Sequence, residues 1–221
     1  MINILLDLVK RLRGDNGCPW DKKQTPDTVK RYLIEEAYEA VEAIEQGVAD
    51  QVCEELGDLL FQIVFLIRLY EEKGAFFVDD VIRLTAEKMI RRHPHVFGDE
   101  KVKDAEEVKE KWHKIKLEEN GSNNAMSLFD SIPRSLPALM RGHRVIDRAV
   151  QGRVVDIPLQ ARLFEQAGDF LARLEREGED SDCLEEMFGD FFLVLVQLSR
   201  YFQVDAEAAL RKSIDHFIGK M

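Results

Sequence analysis

Several features that define other classes of protein are missing from this sequence. No apolar run approaches the roughly 18–20 residues that a membrane-spanning helix needs, so a membrane-embedded protein is excluded. The 3 cysteines, Cys18, Cys53 and Cys183, form no Cys-x-x-Cys pair, which indicates neither a disulfide framework nor a zinc site. Residues 1–13 place apolar residues before basic ones and lack a small-residue cleavage site, unlike a secretory signal. We therefore expect a cytoplasmic protein.

The sequence also lacks an excess of basic residues. The 31 Lys and Arg face 42 Asp and Glu, which gives a formal net charge of −11. This charge opposes binding to nucleic acid or to an anionic membrane, because phosphate contacts need a basic face. The composition, 45% hydrophobic and 33% charged, is typical of a chain that folds and too apolar for a disordered one. An anionic substrate would require a metal ion or a confined basic cluster.

Apolar residues recur with helical spacing along most of the chain, and alternating strand patterns with hairpin turns are not evident. The sequence therefore predicts an all-α protein. The expected helices are Ile2–Arg13, Asp27–Gln46, Asp50–Lys73, Asp79–Arg92, Ala105–Glu119, Leu136–Val150, Leu159–Glu177, Asp182–Phe202 and Asp205–Gly219. Asp27 is the expected start of the second helix, and Gly47 its expected end.

The polar stretch 120–124 has no apolar periodicity and divides the chain. The two halves share a pattern, because residues 54–61 (EELGDLLF) resemble residues 186–193 (EMFGDFFL). Tandem copies of a helical hairpin favour four-helix-bundle packing, either within one chain or through a second chain. We predict three segments: an N-terminal repeat at 1–119, a linker at 120–135 and a C-terminal repeat at 136–221.

Two carboxylate pairs, Glu36 with Glu39 and Glu55 with Asp58, flank a short turn, and each pair shares a helix face. Helices joined by a short turn run antiparallel, so the four carboxylates can converge. Such a cluster needs protonation or a cation, and oxygen ligands without His or Cys indicate Mg²⁺, with Mn²⁺ as the alternative. The other interpretation is an ordinary solvated helix face. Gly57, inside the second helix, predicts a close backbone approach.

Basic and aromatic residues further along the chain suit a phosphorylated substrate. Lys88 and Arg92 share a helix face with Arg91 beside them, and could bind phosphates; the alternative is an ordinary basic helix C-terminus. Trp112 and Lys116, four residues apart, could supply an aromatic surface for a base and another phosphate donor. The other interpretation of these two residues is a partly buried Trp and a solvated Lys without a role in binding.

Four motifs together resemble those of the MazG nucleoside triphosphate pyrophosphohydrolases: residues 17–25 (GCPWDKKQT), 32–39 (YLIEEAYE), 54–60 (EELGDLL) and 91–98 (RRHPHVFG). The likeness is close over roughly the first 120 residues. The family implies an all-α fold shared with dimeric dUTPases, and usually a homodimer. It also implies Mg²⁺-dependent cleavage of nucleoside triphosphates to nucleoside monophosphates and pyrophosphate.

The resemblance also implies site residues. The family's metal motif, EExxE followed by ExxD, falls on Glu36, Glu39, Glu55 and Asp58, with Glu35 as the leading acid. Its phosphate-binding and C-terminal residues fall on Lys88, Arg92, Trp112 and Lys116. We also predict that Tyr32 and Arg91 bind substrate. Residues 18–21 are expected to form a rigid turn that could cover the site, and residue types alone assign it nothing further.

The sequence departs from the family pattern in both halves. Pro26 stands where the family commonly has His, and Leu66 where a polar residue is common, which loosens inference about the substrate. In the second half, the positions matching the four metal ligands are, in order, Gln166, Asp169, Met187 and Asp190, while those matching Lys88 and Arg92 are His216 and Lys220. We therefore predict that the second copy binds no catalytic metal and serves in packing and dimerisation.

Other functions stay open at this point. A narrower pyrophosphohydrolase of the same superfamily, such as a dUTPase or a phosphoribosyl-ATP hydrolase, would use the same metal site on one preferred substrate. A non-catalytic regulator would bind nucleotide or a partner protein through the same helices without turnover. Nucleic acid is the least expected partner, because the basic residues form one short turn and not a stripe.

Overall fold

Every regular element that the structure describes is an α-helix. The computed structural model describes residues 2–119, 127–152, 154–155, 160–177 and 183–220, and over these ranges the predicted all-α class is confirmed. The helices, in chain order, are α1 (Ile2–Arg13), α2 (Pro19–Lys22), α3 (Pro26–Gln46), α4 (Ala49–Glu71), α5 (Val78–Arg92), α6 (Pro94–Phe97), α7 (Ala105–Glu119), α8 (Ser127–Asp130), α9 (Ala138–Gln151), α10 (Gln160–Glu177), α11 (Leu184–Tyr201) and α12 (Ala206–Ile218).

The nine predicted helices agree with the observed ones to within about two residues at each described end. The three that the sequence did not predict, α2, α6 and α8, have only 4 residues each. One turn carries no apolar periodicity, which explains why they were missed. Among the described helices, none combines the length and apolar character needed to cross a membrane.

The chain divides into two compact units, Met1–Trp112 and His113–Met221. The predicted linker at 120–135 includes residues 120–126, which lie outside the described part, so the predicted domain boundaries stay a prediction.

In the first unit, α1 and α3 each pack against α4. Their apolar faces meet in a core centred on Val9, Val29, Val64, Phe65 and Leu69, all of which are buried. Burial of such side chains contributes about 1.5–3 kcal/mol each relative to exposure, and here it fixes the two helices that carry the acidic motifs.

The α3–α4 hairpin has well-defined ends. Thr25 and not Asp27 is the N-cap of α3. Its hydroxyl oxygen accepts a hydrogen bond from the Thr28 amide, and the Thr28 hydroxyl oxygen accepts one from the Thr25 amide. Asp27 is therefore not the cap, and α3 begins at Pro26, one residue before the predicted start. The predicted end is confirmed, since Gly47 caps the helix with φ 75°, a left-handed conformation that glycine adopts without a Cβ penalty. With α4 beginning at Ala49, the two helices run back along each other.

The segment between α1 and α3 is tightly tied down. A Cβ at Gly17 would clash with the Leu12 carbonyl oxygen, which also accepts a hydrogen bond from the Cys18 amide at 2.8 Å. Arg13 forms a two-pronged ion pair with Glu72 at the end of α4, 2.7 Å at its shortest, and donates to the Asp21 carbonyl. These contacts hold α2 against α1 and α4.

In the second unit, α11 packs against α9, α10 and α12. Leu163, Met187 and Val196 are buried there, and the ring of Phe170 stacks on that of Phe191 at 4.1 Å. The seam between α10 and α11 is therefore apolar and aromatic where the corresponding α3–α4 seam of the first unit carries carboxylates.

Candidate metal centre

Three carboxylates meet across the α3–α4 hairpin. Glu36 and Glu39 lie one turn apart on α3, Glu55 lies on α4, and each offers an oxygen within 4.8 Å of the others. Glu36 and Glu55 are half-buried, whereas Glu39 is exposed. Hard oxygen donors in this arrangement fit Mg²⁺ or Mn²⁺ and lack the nitrogen and sulfur ligands that zinc prefers. The sequence predicted that these three side chains come together.

The electrostatics of the cluster favour a cation. Partial burial raises the pKa of Glu36 above its ordinary value of 4.5, and the neighbouring charges of Asp58, Glu39 and Glu55 raise it further. The pKa of Glu55 is raised for the same reasons: partial desolvation first, then nearby carboxylates. Each group thus holds its proton more readily than in water, and a bound divalent cation would remove that repulsion.

Asp58, the fourth predicted ligand, lies outside the set of three within 4.8 Å. Its charge nevertheless raises the pKa of both Glu36 and Glu55, which places it beside the cluster. Glu35 is exposed on α3. The roles predicted for Asp58 and Glu35 stay predictions.

The close backbone approach predicted at Gly57 is not made by any described residue of the chain, and it stays a prediction. A Cβ built on this residue meets no described atom within 4 Å. The exposed side chains of Leu56 and Leu60 lie on the same helix. The helix face around Gly57 therefore has room for another surface.

Gln62 is a site residue that the sequence reasoning missed. Its side-chain amide donates to Glu36 Oε1 at 3.4 Å and so reaches across the hairpin to the carboxylate cluster. It follows Asp58 by four residues, which puts it on the same face of α4. That spacing could have identified it. Because the hydrogen bond stabilises the charged form of Glu36, it opposes the rise in that residue's pKa.

A cleft of about 260 Å³ opens beside Gln62. Its floor is formed by Val29 and Phe65, each only 2% exposed. Tyr32, predicted to bind substrate, lines this cleft, together with the aromatic rings of Trp20 and Phe61.

The predicted basic and aromatic residues lie on α5 and α7. Lys88 and Arg92 are half-buried, and Arg91 is exposed. The Arg92 guanidinium lies over the Trp112 ring, 5.1 Å from its centroid, which is the geometry of a cation–π contact. The side chain of Lys116 is outside the described ones. The predicted convergence of these residues with the carboxylates on one substrate stays a prediction.

Comparison with known proteins places the chain among relatives with a common name. The family model described as the MazG nucleotide pyrophosphohydrolase domain matches residues 24–97, a stretch that contains the carboxylate cluster, Lys88 and Arg92. The chain is 39% identical over 225 residues to the nucleoside triphosphate pyrophosphohydrolase of Escherichia coli (strain K12), covering 98% of this chain and 84% of that protein.

A protein of Thermotoga maritima named nucleoside triphosphate pyrophosphohydrolase/pyrophosphatase MazG is 41% identical over 214 residues, covering 97% of this chain and 81% of that protein. The crystal structure of a mazG-related protein from the same organism aligns with a TM-score of 0.45 and 28% identity, covering 52% of this chain and 97% of that one.

Over the described residues, helices alone make up the fold, and a carboxylate cluster that could hold a metal ion lies across one hairpin, which defines an all-α protein. At this identity over nearly its whole length, the chain belongs to the MazG family of nucleotide pyrophosphohydrolases, which are hydrolases acting on phosphoric anhydrides.

Proposed function

We propose that this chain hydrolyses nucleoside triphosphates to nucleoside monophosphates and pyrophosphate, with Mg²⁺ held by Glu36, Glu39, Glu55 and Asp58. The observation that carries the proposal is the convergence of three carboxylate oxygens within 4.8 Å across the hairpin. Two of these groups have raised pKa values, as expected for anions that await a cation. The names of the E. coli and T. maritima relatives support the reaction.

Each residue then has a physical task. A bound Mg²⁺ supplies the positive charge that makes a triphosphate bindable and activates water toward the α-phosphorus. Gln62 orients the Glu36 carboxylate through its hydrogen bond. Lys88 and Arg92 neutralise the charge that grows on the departing pyrophosphate, the kind of electrostatic term that dominates phosphoryl transfer. Glu35 or one of the cluster carboxylates accepts the proton of the attacking water.

Product analysis tests this proposal. The protein is incubated with a nucleoside triphosphate and Mg²⁺, and the products are separated as monophosphate plus pyrophosphate or diphosphate plus phosphate. Glu36→Gln and Asp58→Asn are each expected to abolish pyrophosphate release while the helical circular dichroism spectrum persists. The control is Asp7→Asn, which removes one exposed carboxylate from α1. Full activity in both cluster variants would contradict the proposed metal site.

A panel of substrates addresses the range of activity. Deoxy- and ribonucleoside triphosphates, damaged nucleotides and guanosine tetraphosphate are compared under the same conditions. Comparable turnover of several triphosphates is expected for a broad pyrophosphohydrolase, whereas one strongly preferred substrate would indicate a narrower enzyme of the superfamily. Binding without any turnover would indicate a regulator.

We also propose that the chain acts as a cytoplasmic homodimer. Apolar side chains on the α3–α4 hairpin are exposed, among them Ile34, Tyr38, Leu56 and Leu60. Water-exposed apolar groups at this density on one hairpin favour a partner surface, and the space around Gly57 admits one. Light scattering on a size-exclusion column should give twice the monomer mass of 25.5 kDa; a monomer at micromolar concentration would contradict the dimer.

For the second unit we propose a structural role without catalytic metal. Met187 stands at a predicted ligand position and is 6% exposed, so it packs in the core and offers no hard oxygen. Phe170, the neighbour of Asp169, is buried against Phe191. An apolar seam of this kind would penalise a bound cation.

A further inference from the structure

The cleft beside the carboxylate cluster contains an aromatic residue that the fold itself does not use. Trp20 lies on the one-turn helix α2, whose backbone is anchored by the Gly17–Cys18 turn and by Arg13. Trp20 is nevertheless 64% exposed, so most of a large aromatic residue is left uncovered on an anchored helix. Apolar ring surface in contact with water is unfavourable in free energy, so a ligand that covers the indole would gain binding energy.

The surroundings of Trp20 indicate what would cover it. The cleft has an apolar floor, Val29 and Phe65, and a second partly exposed ring, Tyr32, on its wall. Amide and carboxylate groups of Gln24, Gln62 and Asp21 complete the lining. A cleft lined by aromatic rings and by a few polar groups is an environment that binds a heteroaromatic ring.

The cleft is joined to the metal centre through one residue. Gln62 lines the cleft and also donates to Glu36, a member of the carboxylate cluster, at 3.4 Å. A molecule with phosphates at the cluster and a ring in the cleft would therefore span neighbouring positions on one face of the α3–α4 hairpin.

Trp112, the other tryptophan, is placed differently. One face of its ring is covered by the Arg92 guanidinium at 5.1 Å, and the residue is only partly exposed. A ring in that contact positions a cation. We therefore assign Trp112 to orienting Arg92 and not to stacking with a base.

We propose that Trp20, with Tyr32, forms the subsite for the nucleobase, which stacks on the indole while the phosphates lie at the carboxylate cluster. This inference rests on the proposed function, because it assigns the base of the same nucleotide. Stacking on a π-face accepts every base, so the subsite contributes affinity with little discrimination among bases.

The test compares Trp20→Ala and Trp20→Phe with the wild type, and with Phe77→Ala as a matched control. Phe77 is an exposed aromatic residue at the start of α5, 58% exposed and outside the cleft. The measurements are KM and kcat for ATP, the Kd of the non-hydrolysable α,β-methylene ATP by calorimetry, and inhibition by inorganic tripolyphosphate, which has no base.

We expect Trp20→Ala to raise KM and Kd by about 5- to 150-fold, the range for loss of one stacked base. Trp20→Phe should recover most of this loss, Phe77→Ala should match the wild type, and tripolyphosphate inhibition should be the same in all four proteins. Replacement of Trp112, which acts through Arg92, should instead weaken ATP and tripolyphosphate together.

Two results would overturn the subsite: wild-type KM and Kd in Trp20→Ala, or an equal loss of tripolyphosphate affinity in that variant. Failure of the proposed function looks different. If α,β-methylene ATP binds in a Trp20-dependent way but ATP releases no pyrophosphate, the base subsite stands and the hydrolase does not. If pyrophosphate is released and KM is the same in the wild type and in Trp20→Ala, the hydrolase function is supported and the subsite is contradicted.

Discussion

Replacing Glu36 by Gln should make the metal-free protein more stable while removing its response to Mg²⁺. The substitution keeps the shape of the side chain and an oxygen that can accept the hydrogen bond from Gln62. What it removes is one negative charge from a cluster whose oxygens lie within 4.8 Å of one another. A substitution that damages the active site is thus expected to stabilise the fold.

The magnitude follows from Coulomb's law. Two unit charges 4.8 Å apart repel by about 0.9 kcal/mol in bulk water and by about 3.5 kcal/mol at an effective dielectric constant near 20. Because the cluster is open to solvent, the lower figure applies. Loss of the two repulsions that Glu36 makes within the cluster should stabilise the metal-free protein by about 1–2 kcal/mol, a rise in Tm of about 2–8 °C.

Thermal unfolding in a chelator and in excess Mg²⁺ measures both effects. The wild type should gain about 2.7 kcal/mol when free Mg²⁺ is 100-fold above its Kd, and Glu36→Gln should gain little. Asp7→Asn, which removes a charge outside the cluster, should leave the Mg²⁺ response unchanged. A Glu36→Gln protein that is less stable in chelator and still responds fully to Mg²⁺ would refute the reasoning.

Three further predictions concern pH, an anchor of α2 and the second unit. The pKa values of Glu36 and Glu55 are raised in the fold, so protonation of these groups stabilises the metal-free protein fully below the ordinary value of 4.5. That stability is lost as the pH rises through the raised pKa values. The Tm gain from Mg²⁺ should therefore grow from pH 4.5 toward neutrality, and a gain independent of pH would contradict this. Arg13→Met removes the 2.7 Å ion pair with Glu72 and should lower the free energy of unfolding in urea by about 1–3 kcal/mol; an unchanged urea midpoint would be inconsistent with the anchor. Met187→Glu places a charge where the side chain is buried and should lower Tm without creating Mg²⁺ binding in calorimetry; a new Mg²⁺ site would show that the second unit keeps a latent metal centre.

Much of the fold was predictable because long amphipathic helices carry a strong periodic pattern. The α3–α4 hairpin was anticipated from Gly47 and the short connection, and that geometry brings Glu36, Glu39 and Glu55 together. The start of α3 was misplaced because Pro26, whose φ suits the first helical position, extends the helix back to a Thr25 cap.

The substrate side of the site was less predictable. Trp20 lies on a one-turn helix without periodicity, and its exposure depends on tertiary contacts such as those of Arg13. No described residue makes the close approach predicted at Gly57, because a glycine inside a helix indicates only that such an approach is possible, not which surface makes it. The contact between Arg92 and Trp112 joins helices that the sequence pattern could not orient relative to each other.

The position of water attack tests the central claim most directly. ATP is hydrolysed by the protein with Mg²⁺ in ¹⁸O-labelled water, and the products are examined by mass spectrometry. Attack at the α-phosphorus places the label in the monophosphate and leaves the pyrophosphate unlabelled, which is the expected result. Label in the pyrophosphate, or products consisting of diphosphate and phosphate, would contradict the account.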